Sequence, residues 1–189
     1  MTLEPEIESK YFPLILKVAE DAVAHGLEWE RPLKVDPADY PPPLQLPRCV
    51  FVTLTIAGRL RGCIGTLESL QPLIVNVAEY AYAAAFRDSR FDPVTRAEYR
   101  DLEYHVSVLS PLEILPCDSE ADLLRKIRPG IDGLVLEDGS CRGTFLPSVW
   151  EDLRDPAEFV RHLKRKAGLP ERGWSDTMIV RRYTAQSIG

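Results

Sequence analysis

The stretch from Cys49 to Ile64 constrains the fold more than any other part of the chain. Cys49 to Ile56 (Cys-Val-Phe-Val-Thr-Leu-Thr-Ile) is rich in β-branched residues and alternates apolar with polar side chains, the period of a half-buried strand. Ala57-Gly58 marks a turn, and Leu60 to Ile64 reads as the return strand. Successive strand residues face opposite sides, so Leu60, Gly62 and Ile64 share one face while Arg61, Cys63 and Gly65 share the other. A two-residue loop would set Arg61 and Cys63 among the aliphatic side chains and leave a charge without a partner. The pattern therefore predicts a three-residue loop such as Ile56-Ala57-Gly58, with the glycine left-handed. In that register Thr53 and Thr55 stand beside Arg61 and Cys63, and one polar face carries a thiol, a guanidinium and two hydroxyls.

Such a face has chemical capacity. A neighbouring cation favours thiolate over thiol, which makes Cys63 a candidate nucleophile and Arg61 its activator. Thr53 shares their face as a candidate substrate contact. Gly62 and Gly65 leave space beside Cys63 for a ligand or for another stretch of backbone. The bland alternative is that Cys63 packs as a small hydrophobe, the usual fate of a free cysteine. No general base is visible: His25 and His162 fall on predicted helices with solvated faces, and His105 alternates with Tyr104 and Val106 as a packing residue on a strand.

A second hairpin, Leu134 to Leu136, Asp138-Gly139 and Cys141 to Leu146, repeats the spacing of Gly, Arg and Gly. Gly58-Arg59-Leu60-Arg61-Gly62 aligns with Gly139-Ser140-Cys141-Arg142-Gly143. Equal offsets from the turn would present Arg61 and Arg142 alike, a pair able to clamp a carboxylate or phosphate. Between the hairpins, Arg87, Asp88, Arg90 and Asp92 gather where a helix from Pro72 to about Arg87 ends. Cations there complement the helix dipole, and Asp92-Pro93 reads as a turn.

The other elements are marked by periodicity and caps. A first helix spans about Ser9 to His25, with Gly26 as its stop and Pro13 in its first turn. The connection 27–48 holds six prolines and reads as irregular. Tyr104 to Leu109 is a strand, and Asp118 to Ile127 a short helix with Ser119 and Asp122 as its capping box. Asp155, Pro156 and Gly168 delimit a helix from Pro156 to Ala167, and Thr177 to Tyr183 is a closing strand. Hairpins interspersed with separate helices predict an α+β fold, a mainly antiparallel sheet flanked by helices with a smaller appended subdomain, in a single domain over 1–189.

Composition removes several function classes. The 189 residues carry a formal charge of −6, against a protein built to coat nucleic acid or anionic membrane. No apolar run reaches bilayer length and the N-terminus is acidic, so a cytoplasmic location is expected. Cys49, Cys63, Cys117 and Cys141 are far apart and form no C-x-x-C pair, which predicts neither a disulfide framework nor a metal site. Dinucleotide, phosphate-loop and hydrolase-elbow motifs are absent, and no cofactor is expected. One segment, Arg161 to Arg182, is basic (Arg161, Lys164, Arg165, Lys166, Arg172, Arg181 and Arg182). It reads either as a weak nucleic-acid footprint or as a face paired with the acidic N-terminal helix, whose segment includes Glu4.

Leu60-Arg61-Gly62-Cys63-Ile64-Gly65-Thr66 resembles the signature of the AMME syndrome candidate family, also called AmmeMemoRadiSam system protein A. The likeness continues in family order through Arg90-Phe91-Asp92-Pro93, Val106-Ser107-Val108-Leu109-Ser110, Asp132-Gly133-Leu134, Arg142-Gly143-Thr144-Phe145-Leu146-Pro147 and Lys166-Ala167-Gly168-Leu169-Pro170. The resemblance implies a larger antiparallel-sheet part, a smaller appended part, a cytoplasmic protein and no established reaction. It also implies a cleft lined by Arg61, Gly62, Cys63, Gly65 and Thr66. Asp132 stands where many relatives have His, so a histidine base there is not expected, and Asp132 becomes a candidate contact instead. Three readings follow: a thiol-dependent enzyme acting on a small molecule through Cys63, a non-catalytic partner of a Memo-like or radical SAM protein, and nucleic-acid binding through the basic segment.

Overall fold

Apolar residues at helical spacing bring the first helix down onto a second helix and a sheet. Helix α1 (Phe12–Trp29) follows a 3-10 turn, Ser9–Tyr11, and buries Ile15, Val18, Ala19, Ala22, Val23 and Gly26 along one stripe. It does not stop at Gly26. The helix runs on to Trp29 and ends at Glu30, left-handed at φ 53°, whose N–H bonds the Gly26 carbonyl at 2.9 Å. A Cβ on Gly26 would lie 2.3 Å from Phe86 Cε2 and 2.8 Å from Tyr82 Cδ2, so this glycine serves close helix packing rather than termination. The proline-rich connection holds more structure than expected: a 3-10 turn at Pro37–Asp39 and a short helix α2 (Pro42–Gln45). Each begins on a proline, where the missing N–H has no helical partner to lose.

The computed structural model describes residues 6–68 and 70–189, and the chain divides into two compact units. The first runs to Leu109 and regains Gln186–Gly189. Its antiparallel sheet orders β2 (Arg59–Gly65), β1 (Val50–Ile56), β3 (Leu102–Leu109) and the C-terminal strand Ala185–Ile188. Helix α3 (Leu73–Phe86) packs on β1 and β2, and α1 packs on α3 and β3. Val50, Val52, Leu54, Val106 and Val108 are buried in this core. Thr53, Cys63 and His105, one step out of that alternation, are half-buried on the opposite face.

The first hairpin differs from expectation in its loop. Ile56 pairs Arg59, so the turn is two residues, Ala57 and Gly58, with φ of 50° and 71°. The register then shifts: Leu54 pairs Gly62 but Thr55 pairs Leu60, which leaves Arg61 as a bulged extra residue. The bulge restores the alternation that a plain two-residue loop would break. Val52 therefore pairs Ile64 and Thr53 pairs Cys63, each on the face that the alternation predicts, whereas Thr55 stands beside Leu60 and donates to Glu103 at 2.7 Å.

The second unit, Ser110–Ala185, has its own sheet and core. Its elements are β4 (Glu113–Ile114), α4 (Glu120–Lys126), β5 (Gly133–Asp138), β6 (Cys141–Phe145), α5 (Pro156–Ala167) and β7 (Ile179–Tyr183), in sheet order β4-β7-β5-β6. The caps are those expected: the Ser119 hydroxyl accepts the Asp122 N–H at 3.1 Å, the Asp155 carboxylate accepts the Ala157 N–H at 3.3 Å, and Gly168 closes α5 at φ 77°. Leu134, Leu136, Phe159 and Leu163 fill the core, where Trp150 stacks on Phe159 at 3.8 Å. In its hairpin Asp138 pairs Cys141, so Gly139 is the first turn residue, whereas Gly58 is the second of its turn. Arg142 is thus the second residue of its strand and Arg61 the third; their sequence spacing does not give them equal register. Antiparallel sheets flanked by helices, in two unequal parts, make the chain α+β.

Candidate functional site

Cys63 lies on β2, an edge strand, and side chains supply what a further strand would. Its N–H donates to Asp88 Oδ2 at 2.9 Å, and its carbonyl accepts from Arg90 Nη2 at 3.2 Å. Arg90 grips Asp88 through Nε at 2.9 Å and Nη2 at 2.6 Å. These bonds hold the nearly sealed Asp88 carboxyl well below the usual carboxylate range, with the Arg90 guanidinium first among the causes and burial opposing it. Across the ladder, the Thr53 hydroxyl donates to Cys63 Sγ at 3.2 Å.

Arg61 does not turn to the thiol. As the bulged residue it reaches Glu98, giving Nε to Oε1 at 2.8 Å and Nη2 to Oε2 at 3.2 Å. Thr95 adds its N–H and its hydroxyl to Glu98 Oε2, each at 2.8 Å. The Glu98 carboxyl is lowered to about 2, chiefly by the Arg61 guanidinium and next by the Thr95 N–H. The remaining nitrogen of Arg61, Nη1, is buried with no acceptor among the described residues. Both guanidiniums flank the Phe91 ring, at 5.9 Å for Arg61 and 5.5 Å for Arg90. An open hollow of about 510 Å³ lies here, with Arg61, Arg90, Phe91, Asp92, Thr95 and Glu98 on its wall. Cys63 is not on that wall; it stands behind it, joined through Arg90.

The structure sorts the other predicted site residues. A Cβ on Gly62 would fall 2.1 Å from the Ala84 carbonyl oxygen, and one on Gly65 2.3 Å from the Val50 oxygen. The space both glycines leave is taken by the chain's own backbone. The Thr66 hydroxyl closes its local turn, donating to the Glu68 carbonyl at 2.6 Å. Asp132 and Arg142 belong to the second unit. Asp132 is fully buried and held by Arg128 through Nε at 3.0 Å and Nη2 at 2.5 Å, while its carbonyl accepts Trp150 Nε1 at 2.8 Å. Arg142 Nε meets Glu137 Oε1 at 2.8 Å.

Asp88, Arg90, His105 and Glu98 were not picked out as site residues at the level of sequence. Asp88 and Arg90 read as helix-end polarity, although Arg87-Asp88-Ser89-Arg90 is the one stretch that concentrates charges of both signs just after a buried helix. His105 pairs with Thr53 on β3, and directly opposed residues share a face. Cys63, Thr53 and His105 therefore form one cross-strand row, a relation that no linear spacing announces.

The profile of a protein family, AMMECR1, matches residues 16–188. The chain belongs to the AMMECR1 family. A protein of Methanothermobacter thermautotrophicus is 42% identical over 169 residues, spanning 85% of this chain and 88% of that one. A protein of Methanococcus aeolicus is 45% identical over 139 residues, 72% of this chain and 70% of that one. The crystal structure of the uncharacterized protein PH0010 from Pyrococcus horikoshii superposes with a TM-score of 0.88 at 33% identity, covering 96% of this chain and 92% of that one. Among the described residues no helix of this AMMECR1-family chain is long and apolar enough to cross a membrane, and no cluster of His, Cys, Asp and Glu could hold a metal ion.

Proposed function

We propose that this AMMECR1-family protein is a thiol-dependent enzyme, or the catalytic component of one, with Cys63 as its nucleophile. The observation that carries the reading is the Thr53 hydroxyl aimed at Cys63 Sγ at 3.2 Å on a half-buried sheet face. The Thr53 hydroxyl, rather than the Arg61 guanidinium that the sequence assigns to this place, is the polar group that meets the sulfur. Asp88 and Arg90 fix the backbone of Cys63 on both sides, which preorganises the sulfur. His105 stands one strand beyond Thr53 in the same cross-strand row.

Alkylation by iodoacetamide at neutral pH, mapped by peptide mass, tests this. Cys63 should react well ahead of Cys117, whose thiol burial pushes up. Thr53→Val should slow Cys63 several-fold without altering the labelling of Cys141. A Cys63 that labels no faster than Cys117, or that is indifferent to Thr53→Val, overturns the reading and leaves the partner-protein alternative in its place.

A further inference from the structure

We draw no further inference here: the strongest candidate, the open hollow beside β2 walled by Arg61, Arg90, Phe91, Asp92, Thr95 and Glu98, belongs to the site already described, where Glu98 and Asp88 already hold both arginines and nothing in the structure shows what would enter it.

Discussion

Glu98 receives four hydrogen bonds, two from Arg61 and two from Thr95, and each favours its charged form. Its carboxyl at about 2 lies below the ordinary glutamate value of about 4.3. A depressed carboxyl stabilises the fold fully above the ordinary value, and that stability is lost as pH falls toward the folded one. Glu98→Gln should therefore cost about 2 kcal/mol at neutral pH, the scale of hydrogen bonds to a charged group. The gap between the two proteins should shrink below pH about 4 and close near pH 2. Urea titrations at neutral pH and in steps below the carboxylate range measure it; a gap that stays constant shows that the charge is not responsible. Why Glu98 escaped the sequence reading is plain at this scale. Nothing local ties it to Arg61, 37 positions earlier, because the pairing is made by a bulge and a loop that only the folded chain brings together. Gly26 teaches the same: a glycine near a helix end reads as a stop, and only Phe86 and Tyr82 across the packing interface reveal the closer approach it permits.

At the scale of elements, alternation fixes the faces of the first hairpin and leaves its register open. Both the three-residue loop Ile56-Ala57-Gly58 and a two-residue turn with a bulge return the aliphatic set to one face, the first with Leu54 opposite Leu60 and the second with Leu54 opposite Gly62 and Thr53 opposite Cys63. The hydrophobic pattern cannot choose between them, which is why the face of Cys63 was legible while the Arg61 environment was not. The observed turn puts Ala57 at φ 50°, left-handed territory that an L-residue other than Asn, Asp or Gly enters at a cost. Ala57→Asn supplies the Asn-Gly pair that such two-residue turns favour. It should raise stability by about 1 kcal/mol, the scale of the relieved left-handed strain. Thermal melts read the change, and an unchanged or lowered midpoint counts against this turn geometry. Capped helices were the opposite case: Ser119, Asp155 and Gly168 act through neighbours within four residues, so their roles survive without tertiary context.

Over the whole molecule, motifs in one linear order are divided between two units that each close their own core. The signature around Cys63 belongs to the first, and Asp132 and Arg142 to the second, where Arg128 and Glu137 already engage them. Order along the chain therefore identified the family but not the membership of the site. Charge is distributed in the same self-contained way. Five of the seven basic residues between Arg161 and Arg182 have acidic partners within the second unit, namely Glu158, Glu120, Glu171, Glu137 and Glu113, rather than on the N-terminal helix. On that helix Lys17 meets Glu20 and Asp21, and Glu4 lies outside the described residues. A basic segment whose charges are already matched releases few counterions from a nucleic acid, and counterion release supplies most of the non-specific affinity. With a formal charge of −6 in addition, the protein should fail to retain a labelled single-stranded RNA at low ionic strength, where such binding is strongest. Fluorescence anisotropy across a salt series decides the matter. A saturable signal that falls steeply with salt would mean that these ion pairs open to phosphate, and would return the Arg161 to Arg182 segment to contention as a binding face.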